Sequence, residues 1–154
     1  CDVHGARGMI RALPETRDRF KHFLTITTRW MDNDVYRHVN NVVYYSFFDT
    51  AVNECMMRHG LLDLDHSPVV SLVVDTGCSY FRPVAFPDTV HCGLRVEELR
   101  RSSVRYEIGV FRNDEDRASA QGHFVHVTCD RATHRPVSIP DAMRRVLESL
   151  RVAG

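Results

Sequence analysis

Apolar and polar positions follow two different periods along this chain, and each period predicts a different element. From residue 40 to about residue 60, apolar side chains cover most of a helical circumference. The remaining narrow polar stripe consists of Ser46, Asp49, Thr50 and Asn53. A helix with so little polar surface must be buried on several sides. Asn40 or Asn41 suits its N-cap, and Gly60 stands where a C-cap glycine belongs.

Strand-like segments, rich in β-branched and aromatic residues, lie on both sides of this helix. One precedes it at residues 22–30, and four follow at residues 69–81, 89–99, 102–111 and 118–129. Short links between the last four predict antiparallel neighbours in a four-stranded meander. A final helix is predicted with Pro140 near its start and residues 142–150 as its body.

A five-stranded antiparallel sheet that curls around one long central helix satisfies this order and buries that helix on most sides. With the C-terminal helix added, it is the α+β architecture called the hotdog fold. We expect residues 20–154 to form one such domain and residues 1–19 to be an N-terminal extension. Because Met9 resembles an initiator, residues 1–8 are expected to be added or upstream sequence and are left out of the fold prediction.

Composition narrows the classes of function. The 20 basic and 20 acidic side chains balance, so no overall field favours nucleic acid or a membrane surface. The 5 cysteines include no Cys-x-x-Cys, which argues against a zinc ribbon or a disulfide framework and favours a reducing compartment. No apolar run reaches the roughly 18 residues of a membrane span. We therefore expect a cytoplasmic protein without nucleic-acid or membrane partners.

The candidate chemistry lies between the first strand and the buried helix. A polar turn there carries Asp32, Asp34 and His38 and leads directly into Asn40 and Asn41. A carboxylate beside a helix N-terminus can act as general base or nucleophile, while the free helix amides hold an oxyanion. Asp34 is the candidate catalytic carboxylate, and Asp32 is expected to fix the turn.

Other assignments of these polar residues are weaker. An EF-hand interpretation of the turn fails, because that loop needs an oxygen ligand at Tyr36 and a glycine at Arg37. His38 either orients Asp34 or bonds the backbone. His123 and His126 stand three apart on a predicted strand and point to opposite faces, so no zinc site is expected there. No metal or cofactor is predicted.

The motif Arg-Trp-x-Asp-x-Asp-x-x-x-His-Val-Asn-Asn-x-x-Tyr of residues 29–44 resembles the signature of the 4-hydroxybenzoyl-CoA thioesterase family. Residues 80–83 (Tyr-Phe-Arg-Pro) and 87–88 (Pro-Asp) extend the resemblance. It implies an acyl-CoA thioester hydrolase in which Asp34 is the catalytic carboxylate and Asn40 and Asn41 open the helix whose amide polarises the thioester carbonyl. It also implies that coenzyme A is contacted where the third strand turns into the fourth. That turn consists of Arg100, Arg101, Ser102 and Ser103.

One departure from the family concerns Arg37, which occupies a position that is commonly glycine. If that position needs a positive φ, arginine costs about 1 kcal/mol or more, alters the turn and narrows the mouth of the site. A non-catalytic acyl-thioester binding module is therefore one alternative function. Enoyl-thioester hydration is another, but Asp34 and His38 lie one residue too close for the hydratase pattern Asp-x-x-x-x-His.

The predicted sheet also has consequences for assembly. A single curled sheet leaves an open edge, and proteins of this fold pair two sheets so that both chains line each site. We therefore expect a symmetric homodimer, with a dimer of dimers as an extension of it.

Overall fold

The computed structural model describes residues 13–152, so the expectation about residues 1–8 lies outside the described residues. Every predicted element is confirmed within a few residues at its ends. The strands are β1 (His22–Thr27), β2 (Val69–Tyr80), β3 (Thr89–Leu99), β4 (Ser103–Arg112) and β5 (Ala120–Asp130). The helices are α1 (Asn41–Arg58) and α2 (Asp141–Ser149). No helix in the described range is long and apolar enough to cross a membrane.

The five strands form one antiparallel sheet in the order β1-β3-β4-β5-β2. The predicted meander is wrong at β2, which pairs with β5 and not with β3. Residues 81–88 pass the ends of β5 and β4 to reach β3. These three strand spacings span about 14 Å, which eight residues readily cover. On this path the amides of Phe81 and Arg82 both donate to the carbonyl of Ser119, just before β5. A short link thus joins two strands that are not neighbours.

The core lies between α1 and the inner face of the sheet. The buried side chains of α1 are Tyr44, Phe47, Phe48, Ala51, Val52, Cys55 and Met56, and they pack on inner-face residues of β3, β4 and β5. Helix and sheet approach closely at Gly122, where an added Cβ would lie 2.4 Å from the Phe48 ring. The predicted polar stripe of α1 remains at its surface, with Ser46, Asp49 and Thr50 exposed.

Both ends of α1 are capped as the sequence indicates. The Asn40 side chain accepts a hydrogen bond from the Val42 amide at 3.0 Å, so Asn40 is the N-cap. Gly60 has φ +69° and ends the helix in a Schellman motif, in which the Leu61 amide donates to the Met56 carbonyl. The long helix therefore has a fixed start and a fixed end.

A smaller cluster, formed by Phe20, Phe111 and Ala118, lies apart from the main core. Residues 13–19, part of the predicted extension, contact the sheet beside it. The Glu15 amide donates to Gln121, and the Arg17 guanidinium lies over the Phe111 ring at 5.0 Å.

Candidate active site

The turn between β1 and α1 is closed by backbone hydrogen bonds that place Asp34 beside the helix N-terminus. The Asp34 amide donates to the His38 carbonyl at 2.9 Å, and the Arg37 amide donates to the Asp34 carbonyl at 3.0 Å. One step further along, the Asn40 amide donates to the Asp32 carbonyl at 2.9 Å. The carboxylate turn and the first residue before the helix therefore form one hydrogen-bonded unit.

The Asp34 carboxylate is half-buried and only partly engaged. Its Oδ1 accepts a hydrogen bond from the Tyr36 amide at 2.8 Å, which fixes the side chain relative to the turn. Its Oδ2 has no hydrogen-bond partner within residues 13–152. One oxygen thus orients the carboxylate, and the other is available to a water molecule or a substrate carbon.

Asp32 has the supporting role expected from the sequence. Its side chain is 2 % exposed and accepts from the Arg29 amide at 2.7 Å and from the Arg29 guanidinium at 2.9 Å. A buried carboxylate with these bonds holds the start of the turn closed. The two aspartates are therefore separated by environment: Asp32 is engaged and buried, whereas Asp34 faces the surface.

Arg37 does adopt the left-handed conformation that glycine would favour, with φ +66°. Both backbone bonds that close the turn are present with arginine in place. The side chain is exposed. The arginine therefore adds backbone strain without opening the turn.

A cleft of about 260 Å³ lies at the N-terminus of α1. Its lining includes His38, Asn41, Tyr44 and Tyr80. The His38 ring makes no hydrogen bond to Asp34 or to backbone within the described residues, so the structure shows neither of its two expected roles.

The Asn41 amide, the first of the helix, also has no acceptor in that part of the chain. A free helix N–H at the wall of a cleft is a donor for an anionic oxygen.

Tyr80 lines the cleft. The sequence did not indicate this position, because Tyr80 was only one residue of a weak motif there. Its hydroxyl donates to the Asn41 carbonyl at 3.3 Å and so ties the end of β2 to the first turn of α1. Burial, with Cys78 and Tyr45 nearby, raises the pKa of Tyr80 well above its usual range, so the phenol stays protonated. Its position depends on where β2 ends relative to the helix, which no local pattern reveals.

The residues expected to contact coenzyme A form the turn between β3 and β4. Arg100 is paired with Glu98 at 2.6 Å, whereas the Arg101 guanidinium is exposed and has no carboxylate partner within residues 13–152. Arg144 of α2 donates to the carbonyls of both Arg100 and Arg101, at 2.8 and 3.0 Å. The final helix thus holds this turn in place.

Within one chain, the turn between β3 and β4 lies far from Asp34. The end of β1 pairs with the start of β3, Thr27 opposite Thr89, and the Asp34 turn lies at that end. Arg101 follows the other end of β3, after Leu99. At the usual rise of a strand, the two ends are about 30 Å apart.

A larger pocket of about 450 Å³ lies between the second half of α1, the first half of β2 and the loop of residues 61–67. Its lining is mostly apolar and includes Met56, Leu61 and Val70, but Tyr106 and His126 also reach it. It shares two walls, α1 and β2, with the cleft at Asn41. The two cavities therefore lie at different points along the same helix and the same strand.

Ligands that could hold a metal ion meet only in the loop after α1 among residues 13–152, where Asp63, Asp65 and His66 are all exposed. The Asp63 carboxylate already accepts the amides of Asp65 and His66. His123 and His126 lie on opposite faces of β5, and His123 bonds Asp75 at 3.1 Å.

The fold, the turn and the helix N-terminus define a class of protein. A family model described as the thioesterase-like superfamily matches residues 28–147. The chain therefore belongs to the thioesterase-like superfamily. The narrower resemblance to the 4-hydroxybenzoyl-CoA thioesterases stays a prediction.

Solved structures agree with this placement. The PA5185 protein of Pseudomonas aeruginosa is 48% identical, covers 92% of this chain and 99% of its own, and has a TM-score of 0.88. A thioesterase of Thermus thermophilus, crystallised with coenzyme A and zinc, is 30% identical over 89% of this chain and 99% of its own, with a TM-score of 0.73. A DHNA-CoA thioesterase of Staphylococcus aureus shares the fold at 19% identity, covering 82% of this chain and 86% of its own, with a TM-score of 0.72. No curated protein sequence matches the chain significantly.

Proposed function

We propose that this protein hydrolyses acyl-CoA thioesters and that Asp34 is its catalytic carboxylate. The observation that carries the proposal is the free Oδ2 of Asp34 on a turn hydrogen-bonded to the residue before α1. Membership of the thioesterase-like superfamily supports the reaction type. The relative crystallised with coenzyme A supports the class of substrate.

Two routes are open to this carboxylate. As a general base, Asp34 takes a proton from water while the water oxygen bonds the thioester carbon. As a nucleophile, Asp34 itself bonds that carbon and forms a mixed anhydride, which water then cleaves. In both routes the carbon–sulfur bond breaks, the thiolate leaves with the electron pair, and the products are a free acid and coenzyme A. A thiolate leaves readily, so no strong general acid is required.

The oxyanion that develops on the carbonyl needs a donor, and we assign this to the Asn41 backbone amide. The next two amides of the helix are engaged, since Val42 donates to the Asn40 side chain and Val43 to the Asn40 carbonyl. Asn40 therefore acts as the cap that positions the helix start. His38 lines the same cleft and is proposed to contact the substrate beside the carbonyl.

Coenzyme A phosphates are proposed to bind at Arg101, with Arg100, Ser102 and Ser103 completing the turn. A guanidinium without a carboxylate partner is suited to bidentate phosphate contact. Since this turn lies about 30 Å from the Asp34 end of the same chain, the partner of a homodimer must supply it. The exposed apolar residues Leu72, Val73 and Val74 on the edge strand β2 are consistent with an interface there.

The test is thiol release from a panel of acyl-CoA thioesters by the wild type and by Asp34→Asn. We expect the variant to lose about 100-fold or more in kcat, because it removes the base or nucleophile while keeping the shape of the side chain. Asp116→Asn, at an exposed carboxylate in the turn before β5, is the matched control and should retain full activity.

Undiminished release by Asp34→Asn would contradict the catalytic assignment. If neither protein releases thiol but both bind acyl-CoA in calorimetry, the protein is a binding module instead. Mass spectrometry of the products separates hydrolysis from hydration, because hydration keeps the thioester and adds the mass of water.

A further inference from the structure

Among the polar residues that line the mostly apolar pocket at the second half of α1, His126 has a buried ring nitrogen without a hydrogen-bond partner in the described residues. His126 is 6 % exposed and lies on the inner face of β5, between Val73 of β2 and Val104 of β4. Its Nε2 is buried and has no hydrogen-bond partner within the described residues. The Tyr106 ring packs edge-on against the imidazole, with 5.3 Å between ring centroids.

The imidazole is neutral in this environment. Burial lowers the pKa of His126 to about 4, and the carboxylate of Asp49 at the pocket only partly opposes this effect. Nε2 of a neutral imidazole donates or accepts according to the tautomer. A buried nitrogen left without a partner destabilises the state in which it is unpaired, so a ligand group that bonds it is favoured.

The position of the pocket sets the length of the ligand. The thioester is placed at Asn41, and the pocket begins near Asp49, about 12 Å further along the helix. An extended chain of roughly ten bonds covers that distance, whereas a single aromatic ring beside the thioester does not. Flexible methionines in the lining, Met56, Met57 and Met143, suit a flexible occupant.

We infer that the pocket binds the distal end of an aliphatic acyl chain that carries a terminal hydroxyl, and that His126 selects for this group. The inference rests on the proposed function for the position of the thioester. A hydroxyl both donates and accepts, so it satisfies Nε2 in either tautomer. Because Nε2 is buried beneath the pocket surface, the chain reaches it when neighbouring side chains of the lining move.

The experiment compares ω-hydroxyacyl-CoA thioesters of eight, ten and twelve carbons with the plain thioesters of the same length. Wild type should favour the hydroxylated member by about tenfold in kcat/KM at the length that reaches His126. If His126 does not bond the hydroxyl, the plain thioester should have the higher kcat/KM, because burial of an unpaired hydroxyl is unfavourable. A plain chain preferred by the wild type at every length would overturn the inference.

Three variants locate the effect. His126→Phe removes the nitrogen and keeps a ring, so it should prefer the plain chain. His126→Gln keeps a donor and an acceptor and should retain the hydroxyl preference. Thr128→Val is the matched control, since Thr128 is equally buried on the same face of β5 but does not line the pocket, and its preference should equal that of the wild type. Thermal melting verifies that each variant is folded.

A second measurement separates this inference from the proposed function. Non-hydrolysable thioether analogues of the same chains, titrated by calorimetry, report binding without turnover. If the protein hydrolyses nothing but binds the hydroxylated thioether more tightly, and His126→Phe removes that difference, the selectivity stands and the proposed function fails. If hydrolysis depends on Asp34 but the two chains bind alike, the function stands and the selectivity is refuted.

Discussion

At the scale of single residues, Arg37 shows that a strained position can be kept without loss of local structure. It holds φ +66°, a region in which an L-residue with a side chain is disfavoured by about 1 to 2 kcal/mol. The turn nevertheless keeps the two backbone bonds that connect Asp34 with Arg37 and His38. The hydrogen-bonded surroundings therefore determine the conformation here.

Arg37→Gly should relieve this strain. We expect a gain of up to about 1 kcal/mol in the free energy of unfolding, measured in urea, after the greater chain entropy of glycine is subtracted. Tyr36→Gly is the control, because Tyr36 is exposed and has a negative φ, so glycine should destabilise there by about 0.5 to 1 kcal/mol. Equal effects of the two substitutions would show that φ at residue 37 is not the source of strain.

The sequence indicated some residues of the proposed site and did not indicate others, for a physical reason. Asp34 and Asn41 lie in one contiguous stretch, so a local motif is enough to find them. Tyr80 and His126 join their cavities only through strand register and burial, which depend on pairing between distant segments. From the sequence, His126 entered only as half of a zinc pair that its strand position ruled out, and its unpaired nitrogen could not be foreseen.

At the scale of elements, the start of α1 links stability to the site. Asn40→Ala removes the bond that the side chain accepts from the Val42 amide. We expect a loss of about 1 kcal/mol, or a fall of about 2 to 4 °C in Tm by differential scanning calorimetry. Asn40→Ser, which keeps a capping oxygen, should recover most of the loss. A serine variant as unstable as the alanine variant would show that capping is not what Asn40 contributes.

The ends of the helices and strands were predictable from the sequence, whereas the pairing of β2 with β5 was not. Hydrophobic periodicity and the residues Gly60 and Pro140 bound the elements locally, so the predicted ends fall close to the observed ones. The placement of β2 beside β5 is not local. Residues 81–88 are few enough to suggest a hairpin yet long enough to cross the strand ends, and sequence alone does not distinguish these two paths.

Neighbouring strands also contain a pair of carboxyls that share a proton. Burial, together with the bond to Glu97, raises the pKa of Glu107 on β4 to about 8. The hydrogen bond from Glu107 holds the pKa of Glu97 on β3 below its usual range. Arg105 lies 3.5 Å from Glu107 and 3.6 Å from Glu97. Glu107 therefore carries the proton, and Glu97 carries the charge.

This pair predicts a pH dependence of stability. Because the pKa of Glu107 is raised on folding, its contribution is fully present below the ordinary glutamate value of about 4.5 and is lost as the pH rises to about 8. Wild type should melt at a lower temperature at pH 8.5 than at pH 7, a window in which His126, with its pKa lowered to about 4, is neutral in the folded protein and largely neutral in the unfolded chain. Glu107→Gln has no proton to lose, so the slope of its Tm against pH should be flatter. Glu148→Gln, at an exposed glutamate of α2, is the control for the loss of a charge. An unchanged slope in Glu107→Gln would contradict the assignment.

At the scale of the whole molecule, the proposed site is divided between the two ends of the sheet. Asp34 and Arg101 lie at opposite ends of β3 in one chain. In the proposed symmetric dimer, each site therefore takes its carboxylate from one copy and its phosphate contact from the other. Asp34→Asn and Arg101→Ala should each impair hydrolysis alone. After both are unfolded and refolded together, random pairing should restore roughly a quarter of the wild-type sites.

Recovery of thiol release in the mixture, compared with each variant refolded by itself, is the measurement. Light scattering on the same samples should give a dimer or a larger even assembly. A monomer mass, or a mixture no more active than its components, would contradict the shared site.

The length of β3 therefore has a consequence for how this protein is assayed. If each site needs two copies, the specific activity is a property of the pair, and it must fall on dilution below the dissociation constant of the dimer. In that range the rate follows the square of the chain concentration, whereas a self-contained site would give a linear dependence. A dilution series, without any substitution, reports whether one chain or two make the active unit.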